Sequence, residues 1–525
     1  MWPTRPALAQ RTNILETFTP PKKHLVTLPT PPDSKPKRQR VADVEKPKKR
    51  RKVVEAPDNA DDETEDSDSD YEIDDDEDVF MGDISSVKPG TPLFLPLRNL
   101  PPIPGPSRRP HPSTLPILQS FVSAHKSDVF RCQSVGEDTY LTPPYTCSYS
   151  HGSKKGGKPL LAVATEQGTV HIFDTSKRND WDPEPQRVTL QSHQNGVFDI
   201  AWSSDDRSIA TCSGDQSTRF TDLETGGITN VLRGHTSTVK CMAWDHTNPS
   251  LLGTGGRDGA ICLWDLRIAE SHQSDETEIM VSRPVITIPR AHDDSPTKRK
   301  GKQNPAPRTI TDLLYSENYS YGLISSCSFD GILRLWDLRA PSTPKRKTKV
   351  SKPAKPLELC SSSGDPTTLH GSRRPRGIIS ITPGSGPSAG HIFAIGADSR
   401  IHTYDLQTLT PQRVSFQHEN LQTNSFYVGV SVSPCGRWLA CGGSGTQGNS
   451  FVFDVENAVR PWAPVYPGVE LRGQRGEVGA VDWARDMLAA CTDDGTVRIW
   501  RPDIATSRRC LDEPEQAKWD WSWAT

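Results

Sequence analysis

Residues 253–267 read GTGGRDGAICLWDLR, and residues 326–339 read SCSFDGILRLWDLR. Each opens on small residues, passes an Asp-Gly turn (Asp258-Gly259, Asp330-Gly331) and runs along an apolar stretch to Trp-Asp. Asp-Gly between two strand-like runs is the mark of a tight hairpin. The runs VKCMAW (239–244) and AICLWD (260–265) carry β-branched and aromatic residues, and predict strands. One feature exceeds what a hairpin needs. An arginine, Arg267 or Arg339, stands two residues beyond each Asp.

Working outward, the same unit recurs from about residue 116 to 501, and an internal repeat of this length outranks any local motif. A histidine opens each unit, an apolar strand follows, a small-residue strand enters an acidic turn, and a third strand closes on aromatic-Asp. Seven closures can be read: IFD (172–174), FTD (220–222), LWD (263–265), LWD (335–337), TYD (403–405), VFD (452–454) and RIW (498–500). The turn acids are Asp215, Asp258, Asp330, Asp398 and Asp494, with Gln167 and the Gly445 region in the two drifted units. The opening histidines are His125, His193, His235, His292 and His418, with His370 as a further candidate and Gln474 in the last slot. From His193 to Asp215 is 22 residues and from His235 to Asp258 is 23, the reach of one four-stranded blade. This is the WD-repeat signature, and it predicts an all-β, seven-bladed propeller over 116–501, closed by a strand from about 116–123 beside the last blade. A short C-terminal tail, 502–525, is expected to follow.

Composition limits the rest. Hydrophobic residues make up 33% of the chain and prolines number 46, so a substantial part should lie outside any core. Lys and Arg total 62 against 65 Asp and Glu, and the net charge of −3 argues against general nucleic-acid affinity. No sequence-specific nucleic-acid binding is expected. The 11 cysteines show no C-x-x-C pair and read as buried thiols of a reducing compartment. With no secretory leader at the N-terminus and no apolar run near the about 20 residues of a membrane helix, the expectation is a soluble, intracellular protein without membrane contact.

Residues 1–115 lack apolar periodicity and are expected to form a long disordered tail. Two basic clusters lie there, KPKRQR (35–40) and KPKKRRK (46–52). The second, with Lys46, Lys48, Lys49, Arg50, Arg51 and Lys52, reads as a nuclear-import signal and hence a nuclear protein. A solvated charge run is the alternative. The acidic block DDETEDSDSDYEIDDDED (61–78) is assigned no partner. Ile14, Thr17 and Phe18, followed by Lys22 and Lys23, have the spacing of one helical turn that could plug an apolar pocket; accidental hydrophobicity is the alternative.

In a WD blade the His, the Asp, a Ser or Thr, and the Trp share a buried hydrogen-bond network, so His235, Asp258 and Trp264 are read as structural. The chain has no G-x-x-x-x-G-K-[ST], no H-E-x-x-H and no spacing of clustered metal ligands. No catalytic residue, metal or cofactor is therefore expected. Function must come from the propeller surface. The arginines are the candidates: each is either an exposed residue in a weak ion pair or one of two neighbouring anchors on one rim.

Tandem W-D-x-R units resemble the box by which WD-repeat receptors dock onto the damaged-DNA-binding adaptor of cullin-four RING ubiquitin ligases. More specifically, the chain resembles the denticleless family, the Cdc10-dependent transcript 2 type. The residues that carry the resemblance are YTCSYS (145–150), LAVATEQGTVHIFDT (161–175), HQNGVFDIAWS (193–203), SGDQSTRFTD (213–222), the stretch at 253–267, FDGILRLWDLR (329–339) and NSFYVGVSVSP (424–434). The insertion RAHDDSPTKRKGKQNP (290–305) has the family's basic, Ser/Thr-Pro-bearing character.

The resemblance implies a non-catalytic substrate receptor of the ligase. It would present replication and cell-cycle regulators for ubiquitination, through degrons displayed on the sliding clamp, proliferating cell nuclear antigen. It implies that Trp264, Asp265, Arg267, Trp336, Asp337 and Arg339 face the adaptor, and that the opposite face reads the degron, a clamp-binding peptide followed by a basic residue. The arginines of GSRRPRG (371–377) suit such a peptide poorly, and no degron-contacting residue is assigned. Ile14, Thr17 and Phe18 resemble an imperfect clamp-binding box, an expected replacement for the box that animal members carry in a long C-terminal region. Thr19, Ser295 and Thr343 fit the Ser/Thr-Pro-x-basic pattern of proline-directed kinases. A phosphate on Thr19 would set negative charge beside that box and oppose docking. Thr221 replaces the Trp of the second closure, which should weaken that blade's network. The competing reading is a nuclear WD scaffold in chromatin assembly or ribosome biogenesis, with incidental arginines.

Overall fold

The computed structural model describes residues 113–525 except 136–138, 269, 275–276, 294–305, 317–318, 320, 340–358, 370–372, 426, 457 and 459–466. The chain forms seven sheets, each one blade of a propeller and antiparallel throughout except in blade 2, where Thr277–Ser282 adds in parallel to Ile228–Arg233. Blade 3 shows the plan: Val239–Trp244 lies innermost, then Leu251–Gly256, Ile261–Asp265 and Ile286–Ile288. The other six inner strands are Pro144–Tyr149, Val197–Trp202, Ile310–Tyr315, Ile378–Pro383, Val430–Val432 and Val478–Trp483. All seven expected closures lie in third strands, and six end them, as at Thr169–Asp174, Ser217–Asp222 and Arg334–Asp337; the seventh, 498–500, lies within Thr496–Pro502. The core lies between neighbouring blades, where the faces of successive sheets interdigitate. Between blades 2 and 3, for example, Phe220, Val239, Met242, Leu252 and Trp264 pack together. No described helix is long and apolar enough to cross a membrane.

The ring closes in blade 7. Phe121–Ala124 and Val129–Arg131 both pair with Thr496–Pro502, so the fourth strand of the last blade comes from upstream of the first. Its position departs slightly from the expected 116–123. Pro116 sits in the first turn of a short helix, Leu115–Leu118, and the strand begins only after it. Thr114, just before that helix, donates its N–H (3.1 Å) and its hydroxyl (2.7 Å) to Asp454 of blade 6.

Residues 502–525, expected as a tail, belong to the fold. Asp503 caps the helix Ile504–Asp512 by accepting from Thr506 N, and Ser507 and Cys510 of that helix are buried. A turn of helix, Pro514–Ala517, follows, and Trp521–Trp523 then pairs with Phe121–Ala124 in the register Val122–Trp523, Ser123–Ser522, Ala124–Trp521. The physical reason is the closure itself. A fourth strand donated from upstream leaves an open edge, and an uncovered edge is a template for unwanted pairing. A three-residue strand offers too short an alternation to be read in advance.

Each inner strand but that of blade 6 carries a register shift after its first residue, for example between Val197 and Asp199, Val239 and Cys241, or Ile310 and Asp312. A bulge leaves one extra residue unpaired and redirects its side chain. The extra residues are Tyr145, Phe198, Lys240, Thr311, Ile379 and Gly479, and all of them line the axial channel or contact a side chain that does.

Candidate functional site

The ends of the third strands follow one rule. The aspartate turns back and accepts the N–H of the residue two places on: Ser176 on Asp174 (3.0 Å), Glu224 on Asp222 (3.2 Å), Arg267 on Asp265 (3.1 Å), Arg339 on Asp337 (3.0 Å), Gln407 on Asp405 (3.0 Å) and Glu456 on Asp454 (3.1 Å). This Asx turn explains the Asp of six closures; the seventh, at 498–500, has none. In blades 3 and 4 the second residue is arginine, and its guanidinium closes a fork on the same carboxylate. Arg267 donates from Nε to Asp265 Oδ1 (2.9 Å) and from Nη2 to Oδ2 (2.7 Å). Arg339 donates from Nε to Asp337 Oδ1 (2.9 Å) and from Nη2 to Oδ2. Each fork holds its carboxyl below the usual carboxylate range, the hydrogen bond from the arginine being the largest cause.

Both arginine side chains are exposed, at 64% and 66%. Successive antiparallel strands place every third-strand end at the same end of its blade, so the two forks stand on adjacent blades of one face. The connection between the first two strands of blade 4 shares that face and exposes Tyr319 and Tyr321; Ile268 beside Arg267 is exposed as well. Leu338 N–H donates to Tyr321 O (2.8 Å), which ties this loop to the Arg339 corner.

Trp264 and Trp336 do not face outward, which corrects the expectation that they meet the adaptor. They are 1% and 5% exposed. Trp264 Nε1–H donates to Thr254 Oγ1 (2.8 Å), and Trp336 Nε1–H to Ser325 Oγ (2.9 Å). The alternation of a strand sends Trp inward and leaves only the Asp and Arg beyond it at the surface. In blade 3 the expected network is complete: His235 meets Thr254 Oγ1 (2.8 Å) and Asp258 (3.1 Å). Burial opposes the charge on His235, but Asp258 raises it to about 9.

Blade 2, lacking the Trp, still joins His193 to Asp215 (2.9 Å) and Thr211 Oγ1 (2.9 Å), and Arg219 adds a contact to Asp215 (3.1 Å). Gln474 fills the last histidine slot by donating to Ala490 O (3.0 Å) and Thr492 Oγ1. In blade 5 Asp398 pairs with His402 (3.0 Å), a partner that the repeat spacing did not indicate. His125 and His418 join no turn aspartate: His125 meets Lys518 O (3.2 Å), and His418 lies against Phe451.

The opposite face carries the acidic turns and the mouth of a channel of about 170 Å³. Tyr427, which packs beside Gly479, lies across the mouth. Its ring stacks on Tyr145 (5.0 Å between centroids), and Tyr145 stacks on Phe198 (5.4 Å). Lys240 Nζ sits 4.1 Å from the Phe198 ring and 4.7 Å from that of Tyr427, and burial draws its ammonium down to about 8. Deeper in the channel, burial raises Asp199 to about 8 and Asp312 to about 6.

Around the mouth stand Glu166, Glu477 and Asp493. Burial pushes Glu477 up; burial, then Asp494 and Glu166, push Asp493 up; and Glu166 bonds Tyr145. Among the described residues none of the three carboxylates has a cationic partner within ion-pair distance. Arg373, Arg374 and Arg376 are exposed in the loop that enters blade 5, on this same face. Tyr145, Phe198 and Lys240 escape motif reading because their only signal is a shared place, the second position of an inner strand.

Among the described residues His292, Cys327 and Asp330 form a buried group of metal-capable side chains, which corrects the expectation of no clustered ligands. Linear spacing could not show it, because His292 arrives across a long insertion. The ten described cysteines are free, and all but Cys435 are buried. Ile14, Thr17 and Phe18, the cluster Lys46–Lys52, Thr19, Ser295, Thr343 and His370 lie outside the described residues.

The family described as "WD domain, G-beta repeat" matches residues 184–222, 226–265, 300–337 and 466–501. Denticleless protein homolog A of Xenopus laevis is 29% identical over 407 residues, covering 74% of this chain and 51% of the relative. Denticleless protein homolog of Homo sapiens is 30% identical over 407 residues, 73% of this chain and 50% of the relative. Cell division cycle protein cdt2 of Schizosaccharomyces pombe is 31% identical over 369 residues, 67% of this chain and 69% of the relative. The chain thus spans about half the length of the animal relatives and about two thirds of the yeast one. With seven blades, tandem forks and this coverage together, the chain belongs to the denticleless family of WD-repeat proteins, the family of yeast cdt2.

Proposed function

We propose that the protein is the substrate-recognition subunit of a cullin-four ubiquitin ligase, docked to the ligase's damaged-DNA-binding adaptor through Arg267 and Arg339. One observation carries the reading: two superimposable Asp–Arg forks occupy adjacent blades of one face, and each guanidinium is held ready before any partner arrives. Preorganised arginines suit interface anchors, because the cost of ordering the side chain is met within the free protein. The exposed Tyr319 and Tyr321 add the aromatic component common in such anchors. The receptor supplies binding, and chemistry belongs to the rest of the ligase.

The channel-mouth face would read the degrons of replication and cell-cycle regulators. Its stacked tyrosines offer apolar contact to an extended peptide, and the unpaired carboxylates Glu166, Glu477 and Asp493 favour a cationic residue following it. A nuclear location through residues 46–52, and a clamp contact through Ile14, Thr17 and Phe18, belong to the same proposal.

The test is capture of the adaptor by the full chain and by its Arg267→Ala plus Arg339→Ala variant. Exposed ion pairs contribute about 0–1 kcal/mol to folding, so the variant should stay folded. Desolvated charged anchors carry about 2–5 kcal/mol of binding, so capture should fall by at least about 30-fold. Retained capture would remove the docking assignment. No capture by the unaltered chain would favour the scaffold reading.

A further inference from the structure

We infer that blade 4 holds a site for a borderline-soft divalent metal ion, ligated by His292, Cys327 and Asp330. The argument begins with a one-residue difference between repeats. In blades 2 and 3 four positions separate the hydroxyl residue from the turn aspartate, Thr211 to Asp215 and Thr254 to Asp258; in blade 4 five separate Ser325 from Asp330. Half of the network survives the longer turn. His292 Nε2 meets Ser325 Oγ (2.8 Å), which also accepts from Trp336. The other half is gone. Asp330 Oδ2 accepts from Arg308 (3.0 Å), and Oδ1 accepts from the Cys327 thiol (3.3 Å). His292 Nδ1, the atom that binds aspartate in blades 2 and 3, has no hydrogen-bond partner although the residue is 0% exposed. A fully buried nitrogen is costly to leave unpaired.

The ligand-capable atoms of the three residues lie within 4.8 Å of one another. Bonds of about 2.0 Å to nitrogen, 2.3 Å to sulfur and 2.0–2.2 Å to oxygen place tetrahedral ligand atoms about 3.3–3.8 Å apart. The Cys327–Asp330 separation already has that value, so a closure of about 1 Å by His292 completes the set. Mixed nitrogen, sulfur and oxygen donors suit zinc or cobalt(II) rather than calcium or magnesium.

The surrounding charges define the chemistry. Ser325 Oγ occupies His292 Nε2, which leaves the Nδ1 lone pair to meet the ion. Binding expels the proton that the Cys327 thiol donates to Asp330 Oδ1: thiol plus divalent ion gives metal thiolate plus one proton. Loss of that proton opens the sulfur-facing side of Asp330 Oδ1, which keeps the N–H of Ile332 (3.2 Å). The thiolate and carboxylate offset the two positive charges of the ion, while Arg308 keeps Oδ2 and Arg334 stays on Ala291 O (2.8 Å). The bound ion would join the loop entering blade 4 to its turn, the link that the His–Asp bond makes in blades 2 and 3.

The test uses the full chain, stripped with chelator and titrated with cobalt(II) and zinc. Expected are one equivalent bound, a thiolate-to-cobalt charge-transfer band, and a zinc-dependent rise in Tm. The affinity should rise about tenfold per pH unit near neutrality, as release of one proton requires. Cys327→Ser should lose the band and bind at least tenfold more weakly, with an unchanged metal-free circular dichroism spectrum. Asp330→Asn provides the same reading if the serine variant folds poorly. His193→Gln, in blade 2, should keep the band. Absence of stoichiometric binding, or equal binding by Cys327→Ser and Asp330→Asn, overturns the site; in the second case the metal is adventitious.

Discussion

Thr254→Val in blade 3 and Thr211→Val in blade 2 remove the same hydroxyl from two versions of one network, and their costs should differ. Thr254 is 0% exposed, and its Oγ1 serves both Trp264 Nε1–H and His235 Nε2, each at 2.8 Å. Valine keeps the shape and strands both nitrogens. A buried polar group left unpaired costs about 1–3 kcal/mol, so the loss should be about 2–5 kcal/mol after partial relaxation. Thr211 is also 0% exposed, but Thr221 stands where blade 3 has Trp264, so the Thr211 hydroxyl serves one ring nitrogen, His193 Nε2 (2.9 Å), and otherwise donates to Arg219 O (3.2 Å), a ladder carbonyl of the next strand. That nitrogen lies 3.3 Å from Thr211 O as well, so it keeps a second contact. The cost of Thr211→Val should therefore be about 1–2 kcal/mol, the low end of the single-group range. Urea unfolding of the full chain, followed by tryptophan fluorescence, measures both on the same m-value. Equal losses, or a loss under about 1 kcal/mol for Thr254→Val, would refute the claim that the closing tryptophan makes this hydroxyl a shared junction.

Two further outcomes follow from the same structure. Because Asp258 raises His235 to about 9, above its unfolded value near 6.5, the pair stabilises the fold fully below about pH 6.5 and loses that contribution as pH rises through about 9. Unfolding free energies at pH 6.5 and 9.5 should fall by up to about 3 kcal/mol more in the unaltered chain than in Asp258→Asn, and matching slopes would sink the assignment. Deleting residues 520–525 removes the strand Trp521–Trp523 and exposes the edge of Phe121–Ala124. Stability should drop by at least about 2 kcal/mol, from lost ladder bonds and burial, and self-association should appear in sedimentation; an unchanged Tm would restore these residues to the status of a tail.

The ring of blades was legible because each blade repeats a pattern in which local propensity and burial agree. LWD at 263–265 is a strand end whether judged by alternation, by residue type or by its place after Asp258-Gly259. The tandem arginines were legible for the same reason, since their offset from the closing Asp is itself repeated. What failed to show was whatever depends on contacts between distant repeats. Tyr145, Phe198 and Tyr427 come from three blades and meet only when the ring closes. The inward turn of Trp264 was legible from the blade's hydrogen-bond network, whereas taking W-D-x-R as one box pointed both tryptophans outward. The strand Trp521–Trp523 has no meaning until Phe121–Ala124 is known to leave an edge open.

The blades also supply a comparison for the arginines themselves. Six third strands end in the same Asx turn, and in four of them the residue two beyond the Asp is Ser176, Glu224, Gln407 or Glu456. The turn forms at 3.0–3.2 Å in each of these, so arginine is not needed to make it. Nor does the fork add much to stability, for an ion pair whose arginine is about two-thirds exposed contributes about 0–1 kcal/mol. On the proposed function, a residue that the turn does not require and the fold scarcely uses acts outward. The fork fixes one edge of each guanidinium on its own blade and sets the direction in which the side chain meets a partner. Replacing Arg267 and Arg339 by lysine keeps both charges but loses the two-point fork, so adaptor capture should fall nearly as far as with alanine. Capture held at the level of the unaltered chain by the lysine pair would mean that charge alone, and not the preorganised fork, makes the contact.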